Sequence, residues 1–212
     1  MVFLTKVYNT LNVKNKIFSR KYRLDAGVVL LKGLKIENRG RNNSVIIGDF
    51  SRIQGSSIIF HGDNNTVILG DFVYMNDVEL YMEGYRNTIQ IGTHCNLCGK
   101  AHFSAIEGTR ISLGEDCMLS SGIDFRTGDS HSILDLSGNR INPSQDIQVE
   151  DHVWIGTKVT CLKGTHIADH CIVAATATLC KNYDVPHCII GGVPGRILKR
   201  DVDWTRERLP LQ

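Results

Sequence analysis

Apolar residues recur along this chain with a period that neither a helix nor an isolated hairpin uses. An aliphatic residue followed by glycine stands at Ile47-Gly48, Leu69-Gly70, Ile91-Gly92 and Leu113-Gly114, a constant spacing of 22. Six and twelve positions further on, each repeat is apolar again, at Ile53 and Ile59, Met75 and Tyr81, Leu97 and Phe103, and Leu119 and Phe125. Later the interval contracts to six, through Val149, Ile155, Cys161, Ile167, Val173, Leu179 and Val185. Four positions after successive members of that series stand Val153, Val159, Thr165, Cys171 and Ala177, all small or β-branched. A helix repeats every 3.6 residues and a strand every two. A period of six with one large and one small inward residue therefore predicts an all-β, triangular solenoid, three short strands to each coil. No coil can bury its own inner face, so stacked coils share one core, with rungs about 4.8 Å apart.

The longer repeat is three sixes plus four, and the extra residues are Gly40-Arg41-Asn42-Asn43, Gly62-Asp63-Asn64-Asn65 and Gly84-Tyr85-Arg86-Asn87. Gly and Asn tolerate the left-handed backbone of a tight corner. Asn43, Asn65 and Asn87 are placed to stack as an amide ladder, as identical residues do on in-register strands. The same register sends Cys95, Leu97 and Cys117 inward, so His94-Cys95-Asn96-Leu97-Cys98 is not half of a zinc site, and no second pair of that spacing exists. His166 and His170 fall outside the inward set and are expected at the surface, a metal role being the weaker reading.

The solenoid is expected over residues 28–200. Residues 1–27 carry no repeat and are expected to cap the first coil, since terminal rungs need cover. Asp201 to Leu209 surrounds Trp204 and Leu209 with charges of both signs, which predicts a short packed C-terminal helix within 201–212. The six-residue period fails between Phe125 and Val149, so the stretch 126–146 must leave the solenoid. A long excursion from a regular scaffold is where function concentrates.

At 212 residues and 42% hydrophobic composition the chain can bury the core of one domain. A net charge of +2 demands no nucleic-acid partner, and Arg20, Lys21 and Arg23 make only a small basic knot. No apolar run reaches the length of a membrane-spanning helix, and Met1 to Leu4 is too short for a signal-peptide core. Seven cysteines without a paired framework fit a reducing compartment. A cytoplasmic location is expected, with peripheral attachment to the inner membrane face compatible with it.

The excursion carries Arg126-Thr127-Gly128-Asp129-Ser130-His131-Ser132-Ile133 and Arg140-Ile141-Asn142, and Asp151-His152-Val153-Trp154-Ile155-Gly156 follows. Together they resemble the hexapeptide-repeat O-acetyltransferases of capsule and lipopolysaccharide synthesis, including the polysialic acid O-acetyltransferases. The resemblance covers residues from about 40 to 209. It implies a left-handed parallel β-helix, a homotrimer with each coenzyme site between two neighbouring solenoids, and direct transfer from acetyl-CoA to a sugar or polysaccharide hydroxyl without a metal. It makes His131 the catalytic base and Trp154 an active-site residue. The run Ala175 to Pro186, with Gly191-Gly192-Val193-Pro194-Gly195-Arg196, is similar to the coenzyme-binding end of the same enzymes. The implied coenzyme contacts are Trp154, Gly156, Ala174, Lys181, Gly192, Pro194 and Arg196, with Lys199 beside them. Leu179-Cys180 departs from the family's usual sequence before the lysine.

The chemistry agrees with that assignment. A sugar hydroxyl is a poor nucleophile, and an imidazole with an ordinary pKa of about 6.5 is suited to removing its proton near neutral pH. Asp129 either orients the His131 ring or closes the turn with its side chain. Val153 and Ile155 take the inward places, which leaves the Trp154 indole outside, against a ligand or a neighbouring subunit. Alternative readings are an N-acetyltransferase for nucleotide-linked amino sugars, a serine acetyltransferase, whose large helical N-terminal domain has no counterpart here, and a solenoid used only for binding or scaffolding.

Overall fold

The computed structural model describes residues 5, 8–9, 11–17 and 22–210, and the chain forms a parallel β-solenoid of three faces. The first face stacks Tyr22–Ala26, Asn43–Ile47, Thr66–Leu69, Thr88–Ile91, Arg110–Leu113, Ile147–Val149, His166–Ile167 and Asn182–Tyr183. The second runs from Leu30–Lys32 through Met118–Leu119, Trp154–Ile155 and Ile172–Val173 to Cys188–Gly191. The third runs from Lys35–Asn38 through Ile123–Arg126 and Thr160–Leu162 to Thr178–Leu179. Pairing follows the sequence periods: Val45 opposite Val67, Val67 opposite Ile89 and Ile89 opposite Ile111, then Ile111 opposite Ile147 across the excursion.

The core is one continuous column. Ile47, Leu69, Ile91 and Leu113 are buried, as are Cys95 and Cys117 stacked above one another and the ring pair Phe103–Phe125, with centroids 4.5 Å apart. The asparagine ladder forms through the backbone of the next coil. The Asn65 N–H donates to Asn43 Oδ1 at 2.7 Å and the Asn87 N–H to Asn65 Oδ1 at 2.9 Å, all three side chains being buried. Each buried amide satisfies a corner that would otherwise orphan backbone groups, and net bonds of this kind contribute about 1 kcal/mol each.

Three expectations need correction. Ile59 and Tyr81 face outward, and Ile58, Phe60, Leu80 and Met82 fill the core instead. The preceding corner is one residue shorter in those coils: Asn76 pairs with Cys98 but Val78 with Ala101, a register shift that moves the side chains of the third-face strand to the other side before the next corner restores the register. Val185 is only half-buried, because the last coil is shorter and Tyr183 pairs with Ile167 and takes the inward place. The C-terminal helix does not form. Residues 201–210 run as an irregular strap in which Val202 N–H donates to His187 O at 3.1 Å and Trp204 stacks on His152, so tertiary contacts hold the chain extended.

At the other end, Asn9 and Asn15 cover the first rung. Asn9 bonds Val29 O and Leu31 N, and Asn15 bonds Leu31 O, Gly33 N and Leu34 N, so side-chain amides stand in for a missing strand. Arg23 pairs with Asp25 at 3.2 Å, while Arg20, Lys21 and Met1 to Leu4 lie outside the described residues. Among the described residues no helix is long and apolar enough to cross a membrane. All seven cysteines are free thiols, five of them buried.

Candidate active site

The excursion leaves the corner between the third and first faces and is built as an ordered arm. Its tip is a hairpin in which Ile141 N–H donates to Ile133 O at 2.9 Å and the Asp135 carboxylate accepts from Ser137 and Asn139. Two clamps hold its base. Arg140 grips Glu107 of the coil below with two bonds of 2.6 and 2.9 Å, and Ser144 adds a third at 2.7 Å. These bonds hold the Glu107 carboxyl down at about 2. The Asp129 carboxylate accepts from Lys163 of the coil above and from Asn142 at 2.7 Å, and both bonds lower its pKa.

Within the chain the Asp129 carboxylate ties down the loop. Asn142 also donates to the His131 carbonyl at 2.8 Å and accepts from Ile133 N–H at 2.7 Å, fixing the backbone on both sides of the histidine. The His131 side chain is exposed and makes no bond within the described residues. Its side chain is thus exposed beside a backbone that Asn142 holds on both sides. Ile133, Leu134, Leu136 and Ile141 of the arm stand in solvent, Leu136 fully so.

Trp154 occupies the second face, outward between Met118 and Ile172 and 37% exposed. Its ring lies 6.2 Å from that of Trp204 in the strap. Immediately after it, Gly156 and Ala174 stack at the corner between the second and third faces. The Gly156 N–H donates to Val173 O at 2.8 Å and the Ala174 N–H to Ile190 O at 2.8 Å. A Cβ at Gly156 would lie 2.8 Å from Ala175 N and from Val173 O, so the coils can approach here only without a side chain. Gly192, Pro194 and Arg196 close the same corner at the end of the solenoid, where Thr178 N–H donates to Gly192 O at 3.0 Å.

The residues named from the sequence therefore fall into two groups. Trp154, Gly156, Ala174, Gly192, Pro194 and Arg196 share the second face and its far corner. His131, Asp129 and Lys181 share the corner opposite that face. Lys181 lies between Thr178–Leu179 of the third face and Asn182–Tyr183 of the first, in the place that Lys163 takes one coil earlier. In a triangular prism the corner between two faces is farthest from the third face, so a single chain does not bring His131 and Trp154 together.

Sequence reasoning missed the residues that position this site. Glu107 and Lys163 sit in neighbouring coils, and nothing in the linear spacing ties them to the excursion. Trp204 is expected in a short packed helix, and it instead packs beside Trp154 from the strap. Lower on the third face, a groove of about 500 Å³ is lined by Ser57, Glu79, His102, Asp124 and Arg126. There His102 and Arg126 are paired with Asp124 at 2.9 and 2.6 Å.

No family model matches the chain. The curated relatives that match include a polysialic acid O-acetyltransferase of Neisseria meningitidis, 35% identical over 110 residues, and one of Escherichia coli O1:K1 / APEC, 34% identical over 98. The matched segments make up 51% and 45% of this chain but only 51% and 31% of those proteins, so the chain spans about half or less of these two relatives. Among solved structures, that of the polysialic acid O-acetyltransferase OatWY superposes with a TM-score of 0.75 at 30% identity, covering 93% of this chain and 90% of that one. The polySia-specific acetyltransferase NeuO shares the fold, with a TM-score of 0.66 at 24% identity over 82% of this chain and 83% of that one.

Proposed function

We propose, from the premise that this chain belongs to the left-handed β-helix, hexapeptide-repeat O-acetyltransferases, that it transfers the acetyl group of acetyl-CoA to a hydroxyl of a bacterial surface polysaccharide or its sugar precursor. The observation that carries the reading is the unpartnered His131 imidazole, held on a doubly clamped arm that projects away from its own solenoid.

In this reading the arm of one chain docks on the second face of a neighbouring copy, with Ile133, Leu134, Leu136 and Ile141 covered there. Exposed apolar side chains on a projecting hairpin cost free energy until a partner covers them. Three copies arranged this way place each His131 against the next chain's Trp154 and Gly156, and the active species is a homotrimer. Acetyl-CoA lies along the corner of Gly156, Ala174 and Gly192, where the backbone is bare enough for close approach. Trp154 packs against it or against the acceptor, and Arg196 and Lys181 meet its phosphates from opposite sides of the junction.

The reaction is one displacement at the thioester carbonyl. His131 accepts the proton of the acceptor hydroxyl as that oxygen bonds to the carbonyl carbon. The tetrahedral oxyanion then collapses, the carbon–sulfur bond breaks, and the departing coenzyme thiolate takes the proton from the imidazolium. Asp129 acts on the arm rather than on the proton, through Lys163 and Asn142.

Release of free thiol from acetyl-CoA across sialic acid polymers and other capsular and lipopolysaccharide fragments, with mass spectrometry of the products, tests the proposal. An ester-linked, alkali-labile acetyl group on one acceptor is the expected outcome. An amide-linked product would move the chain to the N-acetyltransferases. No thiol release and no coenzyme binding would leave a binding or scaffolding solenoid.

A further inference from the structure

The corner between the first and second faces carries one left-handed residue per coil, and in its upper half these are Asp116, His152, His170 and His187, with φ of 54, 52, 56 and 53°. The rings of His152 and His170 lie 4.9 Å apart and those of His170 and His187 4.5 Å apart. The strap crosses this column and lowers Asp203 into it. Its carboxylate is 3.5 Å from His152 Nε2, 3.1 Å from His170 Nδ1 and 3.6 Å from His187 Nδ1.

We propose that His152, His170 and Asp203, with His187 beside them, bind a divalent transition-metal ion that fastens the strap to the solenoid. The donor atoms of His152, His170 and Asp203 all lie within 4.8 Å of one another. Around a tetrahedral ion with bonds of about 2.0–2.1 Å, neighbouring ligand atoms stand about 3.3 Å apart, so the nitrogen–carboxylate separations need only small adjustment. Imidazole nitrogens with one carboxylate suit zinc, cobalt or nickel rather than magnesium or calcium.

The surroundings of His152 suit such an ion. Its Nδ1 meets Asp116 Oδ2 at 2.6 Å, the arrangement in which a metal-bound histidine gives its other ring proton to a carboxylate. Its Nε2 faces two further oxygens, the Trp204 carbonyl at 3.1 Å and Asp203. A second ring proton would serve His152 alone, whereas a metal ion in its place would serve His170 and Asp203 as well. Arg206 completes the surroundings, donating to Asp116 Oδ1 at 2.7 Å. An ion here would lock Trp204 in its place next to Trp154, and the inference does not depend on which reaction the protein carries out.

Titration of the full chain with zinc by calorimetry, and with cobalt(II) followed by visible absorption, tests the site. One ion per chain is expected, with the strong visible bands of tetrahedral cobalt and a rise in melting temperature. His170→Ala and Asp203→Asn should weaken binding by about tenfold to a hundredfold or more. Asn at 203 can still accept from Trp204 N–H, the bond that Asp203 Oδ1 makes at 2.8 Å, which keeps the strap's local turn. His166→Ala, which removes an imidazole paired with Glu150 and Asp184 on a different face, should bind as the parent does. Absence of binding by the parent, or equal affinity in the parent, His170→Ala and Asp203→Asn, overturns the proposal.

Discussion

The proposed function assigns proton transfer to His131 and ligand packing to Trp154, and single substitutions separate those parts. His131→Ala should lower turnover by about a hundredfold to ten-thousandfold, the usual range for a lost general base, while folding and coenzyme affinity survive. If Trp154 packs against a ligand as proposed, Trp154→Ala should act mainly on the Michaelis constant of the substrate it touches. Steady-state kinetics with a confirmed acceptor, and calorimetry of coenzyme binding, distinguish them. A His131→Ala enzyme within a few-fold of the parent would remove the histidine from the mechanism. Core residues behave otherwise. Leu119 is fully buried between coils, and Leu119→Asp strands an unpaired charge there, at a cost of about 4 kcal/mol or more. Asn96 points outward, its amide oriented to accept from Arg206 Nη1 at 3.1 Å, so Asn96→Asp should leave the melting temperature nearly unchanged.

The arm carries the proposed base, and it is tied to neighbouring coils by Glu107, which holds Arg140, and by Lys163, which holds Asp129. Glu107→Gln removes the charge that Arg140 holds with two bonds. The expected result is reduced turnover with little change in melting temperature, because the clamp is partly exposed and orders the arm rather than the core. Acid should mimic the substitution. Glu107 has its folded pKa depressed from 4.5 to about 2, so its contribution is complete above the ordinary value and is lost as pH falls through that window. Asp129, also depressed, should follow the same sign. NMR of the arm should show its resonances titrating across this range in the parent. In Glu107→Gln that part of the titration should vanish, and a persistent one would assign the acid effect elsewhere. His166 has the opposite sign. Burial works against its charge, but bonds to Glu150 and Asp184 outweigh it and raise its pKa. Its contribution is complete below the ordinary histidine value and fades as pH rises through the folded one.

For the whole molecule, the decisive fact is that His131 and Trp154 sit on opposite sides of one prism. If sites form between chains, His131→Ala and Trp154→Ala protomers complement each other. Co-expressing the two at equal levels should yield mixed assemblies with some junctions fully wild type and, assayed with both substrates well below their Michaelis constants, activity well above that of either variant alone. Activity no higher than the average of the two would show that each chain completes its own site. Sedimentation of the parent should give a trimer, and charged substitutions at Leu134 and Leu136 should shift it toward monomer.

Much of this was legible from the residue pattern. The six-residue period, the register of Cys95 and Cys117, the asparagine ladder and the place of the excursion all follow from which side chains must share one core, and that constraint repeats every coil. Where the period slipped, at Ile59, Tyr81 and Val185, the cause was the length of a corner, which leaves no apolar signature. The helix expected after residue 200 failed for a related reason: local propensity was overruled by contacts to coils distant in sequence. The clamps on the arm, the histidine column facing Asp203, and the separation of His131 from Trp154 are likewise products of stacking. Residues many positions apart in the chain become neighbours only when one coil lies upon the next. The sequence determines that stacking, but the partners it brings together could be named only from the folded molecule.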